Sequence, residues 1–412
     1  MYIRKRQFYS MTKMRIGIIQ ERKSPPDFRV PLTPTQCASV MHSFPNVEIY
    51  IESSPIRCFS DSEYENAGLQ VVHDVSHCDF LFGVKEVPVD HLIPNKTYFF
   101  FSHTLKKQPY NAKLLRSILD KKIELIDYEA LKGSDGKRIL GFGRYAGIVG
   151  VYEGIRAFGW KHALFNLPSP QTLSGREQFD KELAKADLTQ IRAVVTGWGR
   201  VGNGAEEVLN QLSLRRCSVV EYLENPEERG VYVHIDTPEM YRRKTDNGFS
   251  KSEFYSSPDL YVSNLEEFTK SANLYIAAHL WNSKNPILLD SIFFQENENC
   301  RVVADISCDI KGPIACTLRA SKIADPVYGY DTISKTETNW SNSNAAAVMA
   351  IDNLPCELPK DSSEDFGNEI VKFIIPRIAY GDDGVLASGK ETTKEGVLTE
   401  AFMYLSDYAT GR

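Results

Sequence analysis

Ile191-Arg192-Ala193-Val194-Val195-Thr196 runs into Gly197-Trp198-Gly199-Arg200-Val201-Gly202, and that turn runs into Gly204-Ala205-Glu206-Glu207-Val208-Leu209. The first block is an apolar run of strand length and the last has a helical pattern. Three glycines at G-x-G-x-x-G spacing join them, and this context gives a common motif its weight. Gly197 permits a tight turn, Gly199 lets backbone approach a pyrophosphate, and Gly202 lets helix and strand pack closely. The helix then offers free N–H groups and the positive end of its dipole to phosphates. The segment therefore predicts a dinucleotide site, with Arg200 and Val201 counted among its contacts. The bland alternative is a glycine turn that binds nothing. An acid about 20 residues on is expected at the ribose. Glu221 stands there, at the end of an expected strand 218–222, with Glu224 as a neighbour that would serve instead. An acid favours NAD and leaves NADP possible.

Outward from this unit the chain alternates strand and helix patterns. Towards the N-terminus, strands are expected at 14–20, 47–52, 79–85, 97–102 and 123–128, with a helix at 110–121. Towards the C-terminus they are expected at 274–278 and 301–306. The small-residue run 344–349 reads as a helix ended by Pro355, a short helix is expected around 367–375 with Pro376 at its end, and a last one at 397–405. Alternation of this kind predicts an α/β fold of mostly parallel sheets. We expect two Rossmann-like domains. A discontinuous substrate domain takes 14–146 plus 326–412, and the dinucleotide domain takes 147–325. The stretch 222–271 is charged and irregular, and reads as an excursion or flap. Gly141-Phe142-Gly143-Arg144-Tyr145-Ala146-Gly147 has the wrong final spacing for a second cofactor turn and reads as a close-packed exit from the first domain.

Composition is consistent with this. The 412 residues are 42% hydrophobic and 25% charged, with a net charge of -6. No basic surplus exists for a nucleic-acid backbone, and no apolar run reaches the roughly 18 residues of a membrane helix. The first 13 residues lack the apolar core of a signal peptide. Eight scattered cysteines without a C-x-x-C pair read as reduced thiols of a cytoplasmic protein. His73, His77 and Cys78 lack a third ligand at sensible spacing, so no metal is expected.

Candidate chemistry lies in the first domain. Lys85 ends the run Phe80–Val84, His103 ends Tyr98–Ser102, and Glu129 ends Ile123–Tyr128. Ligands of open α/β sheets collect at such carboxyl ends. A half-buried lysine has its pKa lowered towards neutrality, which suits proton transfer, and imidazole titrates near neutral pH by nature. Glu129 is placed to tune Lys85. Singly each is an ordinary surface or cap residue; three at equivalent strand ends form a constellation. Arg22, Lys23, Arg29 and Arg138 offer charge-assisted bonds to substrate carboxylates, or else form a solvated basic loop. Asp305 and Asp309 flank the end of Val302–Ala304, to face a ligand or Lys106, or simply to cap a turn.

Gly83-Val84-Lys85-Glu86, Phe101 to Lys106, Ile126 to Glu129, and Gly141 to Gly147 resemble the saccharopine dehydrogenase (lysine-forming) and lysine–ketoglutarate reductase family, within the alanine dehydrogenase and transhydrogenase group. Val303 to Asp309 and Asp352-Asn353-Leu354-Pro355 resemble further family segments. The resemblance runs from about Arg15 past Pro359, and no second catalytic domain follows. It implies reversible conversion of saccharopine, water and oxidised NAD(P) to lysine, 2-oxoglutarate and NAD(P)H, in a monomer or small homo-oligomer whose domains close over the substrate. It implies that Lys85 is the acid–base group at the amine and imine, that His103 handles water and carbinolamine, and that Glu129 tunes the lysine. Arg29, Arg138 and Lys106 then match positions near substrate carboxylates or in the charge network of the cleft, with Asp309 an acidic partner and Asp305 at the cofactor. Leu223 falls near the position where the resemblance implies an Asp. Two rivals stay open: another amino-acid dehydrogenase of the same group, and a cofactor-binding homologue without turnover.

Overall fold

The computed structural model describes residues 13–411; all but the last residue of the N-terminal stretch read above lies outside them. The chain divides into two compact units. One is drawn from the chain up to Phe142 together with Pro359 onward, the other is Gly143–Leu358.

The first unit is built on a six-stranded sheet of β1 (Met14–Ile18), β2 (Val47–Glu52), β3 (Gln70–Val72), β4 (Phe80–Phe82), β5 (Thr97–Phe100) and β6 (Glu124–Asp127), in the order β3-β2-β1-β4-β5-β6. Every pairing is parallel. A parallel sheet is covered on both faces, so its inner strands read as continuous apolar runs, and all four residues of β5 are buried. The helix Pro359–Phe373 returns to this unit and places Phe366 and Ile370 in one core with Ile16, Ile49 and Phe99. The expected stop at Pro376 is instead a start. A second helix, Ile375–Tyr380, carries that proline in its first turn, where its missing N–H costs nothing.

The second unit holds β7 (Arg192–Thr196), β8 (Arg215–Cys217), β9 (Val231–Ile235), β12 (Leu274–Ala277), β13 (Val302–Asp305), β14 (Val327–Asp331), β15 (Glu337–Thr338) and β16 (Ala345–Met349) in one sheet. Between β9 and β12 in the chain, β10 (Tyr241–Arg243) and β11 (Tyr261–Ser263) form an antiparallel ribbon. The sheet order is β15-β14-β16-β13-β12-β7-β9-β8, parallel except where β14 joins β16 and β15. The helix Gly143–Lys161 lies against the helix Arg200–Leu209 through glycines. A Cβ on Gly147 would meet Val201 O at 1.9 Å, and one on Gly204 would meet Arg144 O at 2.0 Å. The glycines of 141–147 thus serve close packing.

Several expectations are corrected here. The run 344–349 is not a helix: Ala345–Met349 is a fully buried central strand between β13 and β14, and a short apolar run carries no period to separate the two. Residues 218–222 are not a strand. Ser218 accepts from the Glu221 N–H while Glu221 returns a carboxylate to the Ser218 N–H, a capping box that starts the helix Val219–Glu224. The irregular stretch 222–271 contains β9 beside β7, besides the ribbon. The expected boundaries at 147 and 326 move to 143 and 359, because the connecting helix starts at Gly143 and β14 to β16 extend the second sheet.

Candidate acid–base and cofactor sites

β4, β5 and β6 lie side by side and parallel, so the residues that follow them emerge at one sheet edge. Lys85, His103 and Glu129 are brought to that edge. Lys85 is half-buried, and its backbone N–H donates to Glu21 Oε2 at 3.0 Å. Its ammonium has no carboxylate within 4.0 Å among the described residues. Burial, and then the nearby Arg29, draw its pKa below the ordinary lysine value, with Asp27 and Glu86 opposing. Those two carboxylates, rather than Glu129, are the acids that act on it most.

His103 has a left-handed backbone, φ +53°, and its Nδ1 lies 2.7 Å from Glu86 Oε1. Glu86 also accepts from Lys23 Nζ at 2.7 Å. Burial works against ionisation of Glu86, but the bond and charge of His103 and the bond from Lys23 hold its carboxyl down at about 2. It is an anion at any working pH and orients the ring. Burial pushes Glu21 the other way, up to about 8, with Asp27 adding.

Glu129 pairs with Lys106 and with Arg138, each at 3.8 Å. Its second oxygen is buried with no partner among the described residues. Arg138 also donates from Nε to Leu140 O at 2.7 Å. Arg29 is 2% exposed and grips Asp27 with two nitrogens, at 3.0 and 2.6 Å. Its fork is therefore engaged in a charge network within the protein. Arg22 is likewise paired, to Glu52 at 2.5 Å.

In the second unit β7 ends at Thr196 and the glycine turn follows. Gly197 takes φ +96°, and a Cβ there would meet Ala278 O at 2.6 Å. A Cβ on Gly202 would stand 1.7 Å from Gly197 O, whereas around Gly199 nothing lies within 4 Å. Two glycines are thus required by packing and the third faces open space. Gly199 is the N-cap of the helix Arg200–Leu209 and supplies no side-chain cap, which leaves first-turn N–H groups for a ligand. These residues fit a dinucleotide pyrophosphate.

The turn is braced from below. Trp198 stacks on His234, ring centroids 3.8 Å apart and planes at 12°. His234 Nε2 lies 2.7 Å from Gly197 O and Nδ1 lies 2.6 Å from Glu206 Oε2. Arg216 reaches the same carboxylate at 2.9 Å.

Two residues at this site escaped the sequence reading. Asp236 directly follows β9, the neighbour of β7, and the Gly197 N–H donates to Ile235 O at 2.9 Å. Asp236, which is also the N-cap of the helix Thr237–Met240, thus stands where the ribose-binding acid of a βαβ unit belongs, whereas Glu221 lies in the first turn of a helix, bonded to Ser218. His279 follows β12. Its Nδ1 lies 2.8 Å from Thr196 Oγ1, and its buried Nε2 has no partner among the described residues. Burial alone pulls its pKa to about 4, so the ring is neutral and its free nitrogen suits a polar ligand group. The signal for both was a polar residue at the end of an apolar run. Asp305 takes the cap alternative: it is fully buried, accepts from Thr317 Oγ1 at 2.7 Å and from the Cys308 N–H at 3.0 Å, and burial raises it to about 6. Asp309 is half-buried nearby.

Among the described residues no helix is long and apolar enough to cross a membrane. Residues 17–149 match the family model described as alanine dehydrogenase/PNT, N-terminal domain. The alpha-aminoadipic semialdehyde synthase of Arabidopsis thaliana is 27% identical over 87% of this chain and 38% of its own length. The chain thus spans less than half of that relative. Saccharopine dehydrogenase [NAD(+), L-lysine-forming] of Candida glabrata is 25% identical over 84% of this chain and 87% of its own. A solved L-alanine dehydrogenase superposes with a TM-score of 0.66 at 17% identity, covering 96% of this chain and 100% of the other. The chain is accordingly similar to lysine-forming saccharopine dehydrogenases and to part of the alpha-aminoadipic semialdehyde synthases, and it shares the fold of L-alanine dehydrogenase.

Proposed function

We propose that this protein is an oxidoreductase on a C–N bond that reversibly converts saccharopine, water and NAD(+) to lysine, 2-oxoglutarate and NADH. The observation that carries the reading is Lys85: a half-buried amine at a sheet edge, without a carboxylate partner and with a lowered pKa, one strand from a histidine oriented by an anion. A dinucleotide held at the glycine turn would supply the acceptor for the hydride on the carbon beside the secondary amine. Lys85 in its neutral form accepts the proton of that amine as the imine forms. His103, oriented by Glu86 through Nδ1, takes a proton from attacking water at Nε2 and returns it when the carbinolamine collapses. Lys106 and Arg138, already paired with Glu129, and Arg29 supply the positive field that a substrate with several carboxylates requires.

The glycine turn holds the pyrophosphate and Asp236 holds the ribose hydroxyls, which favours NAD over NADP. His279 offers Nε2 to the same ligand, and Asp309 is an acidic neighbour of the site. The acid–base groups and the cofactor turn belong to different units of one chain, and a monomer or small homo-oligomer in the cytoplasm suffices for the chemistry.

The test is nicotinamide absorbance with a substrate panel, NADH and NADPH each tried. Oxidation that requires lysine and 2-oxoglutarate together supports the proposal. Oxidation by pyruvate and ammonia instead identifies another amino-acid dehydrogenase. Binding of NADH with no turnover on any pair identifies a homologue that has lost catalysis.

A further inference from the structure

His103 lies between two hydroxyl residues, Ser102 and Thr104, that point into the interior. Ser102, Thr104, Asp127 and Glu391 are each 0% exposed. They form a row. Ser102 Oγ bonds Asp127 Oδ2, Ser102 Oγ lies 2.6 Å from Thr104 Oγ1, and Thr104 Oγ1 lies 2.7 Å from Glu391 Oε1. Each of these three oxygen–oxygen contacts needs one proton. The two hydroxyls supply two, since each carries a single O–H. The third has to be a carboxyl proton, on Asp127 or on Glu391.

The surroundings agree with the count. Neither carboxyl pairs with a cation among the described residues, and two buried bare anions so close together would be prohibitively costly. Glu129 is the next acid along, and its N–H donates to Asp127 Oδ1 at 2.6 Å. On the C-terminal segment, burial and then the charge of Glu391 raise Tyr404 and Tyr408. Lys390 turns to Glu124 at 2.8 Å, Lys106 to Glu129 and Lys107 to the ring of Tyr404. Burial, and then the charge of Asp127, push Glu391 up to about 8; burial likewise raises Asp127.

We propose that Asp127 and Glu391 hold one proton between them and act, through Ser102 and Thr104, as positioning residues for His103. The row explains how a non-glycine residue is kept at φ +53°, which a free loop would relax. The Ser102 N–H donates to Asp127 Oδ2 at 3.1 Å, and the Thr104 N–H donates to Ser102 Oγ at 3.1 Å. Backbone on both sides of His103 is therefore clamped. Glu391 is itself fixed to β6, its N–H donating to Leu125 O at 2.8 Å and Thr392 Oγ1 accepting from the Leu125 N–H at 2.9 Å. Because Glu391 binds its proton more tightly folded than unfolded, its stabilisation is full at acid pH, declines above the ordinary carboxylate range, and is gone once pH passes about 8.

The test uses the full chain and Glu391→Gln, with Asp127→Asn as the variant from the other end. An infrared difference spectrum between wild type and Glu391→Gln, near neutral pH, is expected to show loss of a carboxylic-acid carbonyl band. Thermal melts across the same pH range are expected to show a wild-type decline with rising pH that is diminished in Glu391→Gln. These two readouts are independent of any substrate. A kinetic arm rests on the proposed reaction: the pH profile of kcat is expected to change shape in Glu391→Gln with KM little changed, and Glu391→Ala, which cannot bridge, is expected to lose kcat where Glu391→Gln retains it. The proposal is overturned if neither Glu391→Gln nor Asp127→Asn removes an acid carbonyl band. Superimposable pH–stability curves for wild type and whichever variant folds would overturn it equally.

Discussion

Lys85 owes its chemistry to what surrounds it rather than to its type. Burial and Arg29 both disfavour its charged form, so its neutral amine is populated at lower pH than that of an ordinary lysine. Lys85→Met is expected to lower turnover by at least about tenfold and up to the roughly 10²–10⁴ typical of general acid–base groups, with NADH affinity unchanged. In the oxidative direction the wild-type rate rises with pH as the amine loses its proton, with a midpoint below the ordinary lysine value. Lys85→Met lacks that limb, and a rate profile of unchanged shape in the variant removes Lys85 from the role. His103 differs in kind. Its ring is set by Glu86 and its backbone by the buried row behind it, so one residue is placed by two separate networks.

The strand–turn–helix element separates packing from binding within a single glycine motif. Gly199→Val has open space around the new side chain, so the fold should persist while NADH binding is lost, as read by calorimetry beside a melting curve. Gly202→Ala drives a methyl into the Gly197 carbonyl and is expected to destabilise by at least the roughly 1–3 kcal/mol of an overpacked core. At the end of β9, Asp236→Ala should weaken NADH about tenfold or more, the worth of one charged hydrogen bond, and narrow the preference over NADPH. Glu221→Ala should leave affinity unchanged and cost only a helix cap of about 1 kcal/mol.

These elements also show what the sequence could and could not say. β7 and its glycines were legible because a buried run, a fixed spacing and a helix coincide. Asp236 was hidden because β8, a capped helix and a loop intervene, placing it 34 residues past Gly202 rather than about 20. The Ser218–Glu221 capping box is readable in the sequence, but the apolar residues beside it mimic a strand. Ala345–Met349 has no period to read, and its partners on either side, β13 and β14, were what made it a strand. The sheet edge carrying Lys85 and His103 was legible as strand ends. The link from Thr104 to Glu391 spans 287 residues and leaves no local trace.

At the scale of the whole molecule, the second unit is one continuous stretch, Gly143–Leu358, with its own cores, whereas the first needs both ends of the chain. The fragment 143–358 is therefore expected to fold alone and to bind NADH. A chain ending at Leu358 should keep that unit and lose the first, because Phe366, Ile370, Ile374 and Ile378 leave its core. Calorimetry would then show a single remaining transition; two intact transitions would refute this division. Phe366→Ala in the full chain is expected to cost about 3–5 kcal/mol.

The central claim is the reaction. The purified 412-residue chain incubated with saccharopine and NAD(+) should form NADH, lysine and 2-oxoglutarate in equal amounts, with the products identified by mass spectrometry and Lys85→Met strongly impaired. NADH formation without both products, or none at all from a protein shown to bind NAD(+), would contradict it.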